Sequence, residues 1–434
     1  MPTTPQTFRR SRSPRNARRI AAIALLFTGF GLRAQAQWIG SFSLDNGYAS
    51  NAFGLSSAGA ASLTGLGAAF GYVPEDAPWS VVYAGTLALI PQFPDQQYSL
   101  HALTLSWELP VDSGQALQLN AAAGASSRFG RETYTLYDYW QGAAQSGMKF
   151  ALADNLVARA DYRLRARLYP QSRSLSFLEH APSLGASLTL QTKTSIHADV
   201  FYGNKQFLET GMRTTNVASM SAAPGAGGMT VDGGGPGGGG GNGNGGGNGG
   251  GGYGNGMHAG GAASAPILAF DVPSLSQAGV RVSVGQALTD ALGIGLKYQR
   301  RWNLDGDMHA LVAGVLNSGG DDELIDDPFS YSGDEFSATL TSILPWSMTM
   351  KASATAHLKA YPYAASLDVA IGGPDRNDRR YGSSLSLEKT FDASWFLFEA
   401  PSLTLAYQYI RNQSNAAIFD FSAHAVSLGI EVGW

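Results

Sequence analysis

Arginines at alternate positions are the most concentrated source of chemistry in this sequence. Four of them lie in one short segment: Arg159, Arg163, Arg165 and Arg167. Side chains two residues apart on a β-strand point to the same face, so these guanidinium groups would form one column. Guanidinium groups are permanent cations that bind carboxylates and phosphates. The spacing therefore predicts a surface that attracts anions.

The same alternation in other segments adds cations to this face. The full set of predicted pore-lining residues is Arg159, Arg163, Arg165, Arg167, Arg281, Lys297, Arg301, Lys351 and Lys359. Lys149 and Arg380 fall on the same predicted face, together with the acids Glu108, Asp161, Asp199 and Glu388. This face is therefore expected to be positive, although the formal net charge of the whole chain is −4.

A second constellation has the residue types of a serine hydrolase. Asp420, Ser422 and His424 alternate near the C-terminus, which would place an acid, a nucleophile and a base on one strand face. The apolar row that includes Val426 continues into this face, so the three residues would face lipid unless a β-bulge near Ala423 turned them inward. No flanking hydrolase motif accompanies them, and we predict no catalytic residues and no enzyme.

Metal, cofactor and nucleic-acid chemistry have little support in the composition. The chain has no cysteine, which excludes disulfides and thiolate metal sites. The histidines lack metal-ligand spacing, and the acidic segment 321–327 does not match a twelve-residue calcium loop. The negative net charge argues against a nucleic-acid partner. We therefore predict no metal and no cofactor.

The elements that must position these residues are β-strands. Between Leu156 and Tyr169, apolar or aromatic side chains alternate with polar and charged ones, and weaker alternation recurs along the chain. Only 14% of the residues are charged, compared with about a quarter in an ordinary globular domain. A soluble β-sandwich would need a well-charged solvent face. The pattern instead predicts an all-β fold, a transmembrane antiparallel up-and-down β-barrel of about 16 strands, within a range of 14–18.

Turn signals and alternation give strand limits for this barrel. Short turns alternate with long connections, and an even number of strands would place both termini in the periplasm. The stretches 307–317 and 363–371 are candidates for two additional strands. The predicted strands are 37–47, 61–73, 79–91, 97–110, 115–127, 133–151, 154–169, 174–191, 195–206, 275–287, 292–303, 334–344, 347–361, 379–391, 399–411 and 417–434.

Tryptophan positions agree with this order of strands. Its amphipathic ring prefers the bilayer interface, where outer-membrane barrels carry aromatic girdles. Six of the 8 tryptophans would lie at the periplasmic ends of strands. The predicted girdle consists of Trp38, Trp79, Trp107, Trp346, Trp395 and Trp434.

Two segments are expected to lie outside the barrel wall. Residues 1–36 combine arginines, an apolar stretch and Ala34-Gln35-Ala36, which predicts a secretory signal cleaved after Ala36 and a mature barrel at 37–434. The segment 225–261 contains 23 glycines and little that could form a core. We therefore predict that 209–266 is a disordered extracellular loop.

The end of the chain resembles a known targeting signal. The residues from Ser427 to Trp434 are similar to the C-terminal assembly signal of Gram-negative outer-membrane β-barrels, with an aromatic residue at the terminus. Tryptophan replaces the commoner phenylalanine. The resemblance implies insertion by the barrel-assembly machinery, and hence a bacterial outer-membrane location and contact with outer-membrane lipid.

The predicted function follows from barrel size and the sign of the lining charge. A 16-stranded barrel is wide enough to leave an aqueous channel, and arginine or lysine side chains in a pore favour anions. The sequence therefore predicts a porin-like channel that passes small anionic solutes by diffusion. The alternative is a structural or partner-binding barrel whose lumen is plugged. A lipid hydrolase based on Ser422 is the third possibility.

Overall fold

The computed structural model describes residues 36–51, 59–75, 77–110, 116–209, 274–305, 328–361, 375–391 and 399–433. The predicted signal up to residue 35 and the glycine-rich tract lie outside the described residues. The candidate additional strands at 307–317 and 363–371 also lie outside them.

The described chain forms a closed antiparallel barrel of 16 strands, as the alternation predicted. Each strand pairs with its neighbours in the sequence, and β1 pairs with β16 to close the ring. The strands are β1 Ala36–Ala49, β2 Ala61–Pro74, β3 Trp79–Leu89, β4 Tyr98–Pro110, β5 Leu117–Gly130, β6 Tyr139–Ala153, β7 Leu156–Leu168, β8 Phe177–Leu190, β9 Thr194–Phe207, β10 Ser274–Ala287, β11 Leu292–Asn303, β12 Ser332–Leu344, β13 Met348–Tyr361, β14 Arg376–Thr390, β15 Glu399–Ser414 and β16 Phe421–Gly433.

The two faces of the wall differ sharply in chemistry. Residues paired across neighbouring strands share a face, so the register carries each face around the ring. Leu405, Leu428 and Ile430 belong to one face and are 45–47% exposed, although they are apolar. Glu179 and Gln299 belong to the other face and are each 1% exposed. The buried polar face is therefore the inside, and the exposed apolar face is an outer belt typical of a transmembrane barrel.

The two rims of the barrel differ in the length of their connections. At the rim that we call the turn rim, short links such as 154–155, 191–193, 288–291 and 345–347 join the strands. At the opposite loop rim, the connections include 208–273, 304–331 and 362–375. β1 begins and β16 ends at the turn rim.

Several predicted strand limits were wrong at the loop rim. The predicted strand 133–151 begins only at Tyr139, because Glu132–Tyr137 forms a short 3-10 helix. Residues 417–419 form another, so the predicted strand 417–434 begins at Phe421. In both places an aromatic side chain is buried against the wall, Tyr137 at 6% and Phe419 at 7% exposure. Among the described residues, no helix is long and apolar enough to cross a bilayer.

The β-bulge considered near Ala423 is not present. β15 and β16 pair without interruption from Ser402 opposite Glu431 to Asn412 opposite Phe421. The register shifts in this pair only between Glu399 and Ser402. The face on which Val426 lies therefore continues unchanged to the loop rim.

Candidate functional site

The register places all nine predicted pore-lining cations on the inward face. Arg159 is opposite Gly185, which is opposite Asp199, and Asp199 is opposite Arg281 on the next strand. The rest of the set follows from the pairing of β7 to β14: Arg163, Arg165, Arg167, Lys297, Arg301, Lys351 and Lys359. Their contribution to a conducting path stays a prediction, but their contacts separate them into two groups.

Two acids on neighbouring strands pair with three of the four arginines of the column on β7. Arg163 Nη2 lies 2.9 Å from Glu179 Oε1, and Arg165 bonds to the other oxygen of the same carboxylate. Arg159 pairs with Asp199. The Arg163 side chain remains 55% exposed, whereas the Arg165 side chain is only 13% exposed. The column therefore presents less free positive charge than its sequence suggests.

Other members of the predicted set are held within the wall. Arg167 is 4% exposed and lies 4.2 Å from the centre of the Tyr139 ring, and its Nε donates to Gln141 at 2.8 Å. Lys359 is 6% exposed. Lys297 Nζ donates to Glu335 Oε1 at 2.6 Å. These contacts fix the side chains against the strands and reduce their availability to a solute.

Arg281 and Arg301 differ because neither makes an ion pair with an acid among the described residues, although Arg301 is near enough to Glu335 to interact with it electrostatically. Arg281 Nε donates to Gln299 Oε1 at 3.0 Å, and both guanidinium groups lie 5.9 Å from the Phe201 ring. A side chain at Gly279 would collide with that ring, so this glycine leaves space for Phe201 near both cations. Lys149 on β6 and Lys351 on β13 also face inward, are exposed and make no ion pair within the described residues, so the free positive charge of the inner wall lies on these two lysines as well as on β10 and β11.

The predicted inventory of inward acids was incomplete. The sequence placed four acids on this face, but the register also brings in Asp45, Glu179, Glu335, Asp378 and Glu431. It also adds the cations Arg128, Lys205 and Arg376. Cations remain more numerous than acids on the inward face, by a smaller margin than predicted.

The other half of the inner wall is lined by small residues. In β1 to β5 and β13 to β16, the positions midway along the strands are glycine, alanine, serine or threonine. Examples are Ser43, Gly67, Ala84, Thr104, Gly124, Ser353, Ser384, Ala406 and Ser427. At mid-height, a charged wall therefore faces a wall of short, uncharged side chains.

An aromatic cluster holds loop segments against the inner wall at the loop rim. It was not found from the sequence, because its members come from three separate connections and four strands. Burial raises the pKa of the Tyr137 hydroxyl above its usual range, so this group stays neutral. Gly203 admits Phe329, since a Cβ atom there would lie 2.8 Å from its ring. The cluster comprises Tyr137, Tyr139, Tyr169, Leu175, Phe177, Phe207, Leu275 and Phe329.

Three of the predicted girdle tryptophans lie together at the turn rim. Trp38 contacts Tyr72 with ring centres 4.9 Å apart, Tyr72 contacts Trp79 at 5.7 Å, and Trp79 is opposite Trp107. Trp346 lies in the turn Pro345–Ser347 and is 81% exposed. Trp395 and Trp434 lie outside the described residues. Contact of this cluster with lipid stays a prediction.

Asp420, Ser422 and His424 face outward and are engaged separately. Asp420 pairs with Arg411 at 2.7 Å, and His424 Nδ1 lies 2.7 Å from the Tyr407 hydroxyl. Within the described part of the chain, Ser422 and His424 make no hydrogen bond to each other. The three side chains are therefore not arranged as a proton relay. The described residues also contain no group of three or more potential metal ligands.

Neither a protein-family model nor a curated protein matches this sequence. Solved structures with a similar fold include OccAB1 of Acinetobacter baumannii. Its TM-score is 0.49, and the two sequences are 10% identical over 93% of this chain and 98% of that one. Another is OprD of Pseudomonas aeruginosa, with a TM-score of 0.45 and 11% identity over 92% and 97% of the two chains. A bacterial polysaccharide outer membrane secretin has a TM-score of 0.40 and 8% identity over 91% and 97%. The 16-stranded architecture itself is established by the strand register of this chain.

Proposed function

We propose that this chain is a bacterial outer-membrane channel through which small anionic solutes diffuse. The proposal has two requirements, a water-filled path through the barrel and a wall that favours negative charge. Outer-membrane lipid surrounds the proposed channel, and the barrel-assembly machinery inserts it. No bound cofactor is needed for this activity.

The size of the barrel supports the first requirement. Barrels of 16 to 18 strands leave an aqueous interior, whereas barrels of about eight strands are filled by side chains. The small residues along half of the inner wall take up little of such an interior at mid-height. A solute passing there meets glycine, alanine and serine on one side and charged side chains on the other.

The observation that carries the proposal is the pair of inward guanidinium groups that make no ion pair within the described residues, Arg281 and Arg301. An arginine already paired with a carboxylate offers little net attraction to a passing anion, as at Arg159 and Asp199. An unpaired guanidinium in a confined path attracts anions and repels cations. We therefore assign anion preference mainly to Arg281 and Arg301, together with the exposed inward Lys149 and Lys351, and less to the predicted column on β7.

The direct test is the ion preference of the purified barrel in planar bilayers. Reversal potentials in a potassium chloride gradient should show that chloride is more permeant than potassium. The preference should weaken as the salt concentration rises, because the Debye length falls from about 10 Å at 0.1 M to about 3 Å at 1 M. Preference for potassium would reject the anion channel.

The aromatic cluster at the loop rim favours a second candidate function, a partner-binding barrel whose mouth is closed by its own loops. The short helix Pro328–Ser330 lies inside the barrel, where Phe329 is 8% exposed. Absence of any conductance would favour this function. A rise in conductance when the helix is displaced would instead show that the loops only narrow an open path.

A further inference from the structure

The outward face at the loop rim carries a repeated arrangement of tyrosine and arginine. On β11, β14 and β15, an outward tyrosine is followed two positions nearer the loop rim by an outward arginine. Each arginine lies three residues from the loop-rim end of its strand. The three pairs are Tyr298 and Arg300, Tyr381 and Arg379, and Tyr409 and Arg411.

Hydrogen-bonded tyrosine and histidine pairs are found in the same part of the outer wall. His101, His180 and His424 each lie three residues from the loop-rim end of their strands and face outward. Each accepts or donates one bond to a tyrosine hydroxyl, at 2.8, 2.5 and 2.7 Å respectively. Below this level the outward residues are mainly apolar, so this level marks the boundary between hydrocarbon and lipid headgroups.

Two of the arginines lie close enough to bind one phosphate group. Tyr381 is opposite Arg411 on the neighbouring strand, which makes Arg379 and Arg411 diagonal neighbours, with Cα atoms about 7–8 Å apart. Arg411 is also opposite Ser422, whose hydroxyl is on the same face and exposed. Two guanidinium groups and a hydroxyl are donors suited to a phosphate monoester.

The contacts of the two arginines show that this surface is open to a ligand. The Arg379 residue is exposed, and its side chain makes no hydrogen bond or ion pair within the described residues. Arg411 pairs with Asp420, which orients it, and one third of its side chain remains exposed. A charged side chain that faces a membrane without a partner is costly unless it reaches the headgroups.

We infer that Arg379, Arg411 and Ser422 bind the phosphate of an outer-leaflet glycolipid against the outer wall of the barrel. This inference rests on the proposed outer-membrane location and is independent of anion passage. The acyl chains of the lipid lie along the apolar face below Tyr381 and Tyr407, and the sugar headgroup lies beside the loop rim. The site also gives Ser422 a role in lipid binding, although the residue types around it had suggested a hydrolase.

The test is retention of diphosphoryl lipid A by the purified full-length barrel in neutral detergent, measured by native mass spectrometry. The variant R379Q/R411Q should retain about 30-fold less lipid than wild type, since each of the two basic residues near a lipid surface contributes about 1 kcal/mol. The inward pair R281Q/R301Q is the matched control, because it removes the same charge and should retain the wild-type amount. Wild type should also retain much less of a lipid A from which both phosphates have been removed.

Equal retention by R379Q/R411Q, or equal retention of the dephosphorylated lipid, would overturn the inference. If loss of the pairing with Asp420 prevents R411Q from folding, R379Q alone serves, because Arg379 has no contact to lose. The reversal potential of R379Q/R411Q should equal that of wild type. Failure of lipid binding is thereby distinguished from failure of the proposed channel. If the channel proposal failed, the wild-type protein itself would show no preference for chloride, whatever its lipid retention.

Discussion

Replacing Arg281 and Arg301 with glutamine should reduce the preference of the channel for anions. Both guanidinium groups lie 5.9 Å from the Phe201 ring, so an ion that passes this ring is close to both charges at once. Glutamine keeps much of the side-chain length and polarity and removes the charge. Arg281 also loses its bond to Gln299, which costs about 1 kcal/mol of stability and leaves the barrel folded.

The magnitude follows from the charge, the distance and the salt concentration. One charge at about 8 Å in water changes the energy of an ion by about 0.5 kcal/mol, and salt at about 0.1 M reduces this roughly by half. Two such charges favour an anion by about 0.5 kcal/mol and disfavour a cation by the same amount. The chloride-to-potassium permeability ratio should therefore fall about fivefold in the double variant.

The assay is the reversal potential of single barrels in planar bilayers at 0.1 M and again at 1 M potassium chloride, at which the difference should largely disappear. The outward pair R379Q/R411Q is the matched control and should leave the permeability ratio unchanged. A folded, conducting R281Q/R301Q barrel with the wild-type ratio would refute the assignment of anion preference to β10 and β11.

Three further predictions concern the wall and its rims. Glu179→Gln removes the carboxylate shared by two arginines of β7, so the anion preference should rise while the barrel loses about 3 kcal/mol of stability, seen as a lower unfolding temperature in detergent. Unchanged ion preference in this variant would mean that the column does not contact the path. Gly203→Val should displace Phe329 and increase either conductance or cleavage of the adjacent loop by protease, and no change in both would show that the contact is not needed to hold the loop. Leu405→Arg, on the outer belt, should destabilise the barrel in lipid by about 2–4 kcal/mol, whereas the adjacent Thr404→Arg should be tolerated, and equal effects on folding yield in lipid vesicles would contradict the two-faced wall.

The architecture was predictable because one physical pattern recurs in every strand. In β7 the alternation of apolar and polar residues is nearly complete, and all four arginines of this strand lie on its inward face. Strand ends at the loop rim were less predictable, because inward aromatic residues there belong to a local core instead of an alternating wall. Tyr137 and Phe419 continue an apolar pattern in the sequence, yet both lie in short helices that pack inward.

The charge of the candidate site was harder to predict than its position. Asp334 and Glu335 are adjacent acids, and the sequence does not indicate which one points inward. The register sends Glu335 to Lys297 inside and Asp334 to Arg300 outside. Glu179 was missed for a related reason. Phe177, at the start of β8, is apolar and would be expected to face outward, but it faces inward, and Glu179 lies two residues later on the same face. Which cations remain unpaired therefore depends on contacts between strands.

The most direct measurement is a cysteine scan along β15 from Ser402 to Ile410, in a chain that has no cysteine of its own. Single cysteines at Ser402, Thr404, Ala406 and Gln408 should react with a water-soluble maleimide in reconstituted vesicles. Those at Leu403, Leu405, Tyr407 and Tyr409 should react poorly with it and well with a lipid-soluble reagent. Reactivity that alternates with period two would show water inside the barrel and lipid outside it, whereas uniform labelling of both rows by the water-soluble reagent would show that this wall does not separate water from a membrane.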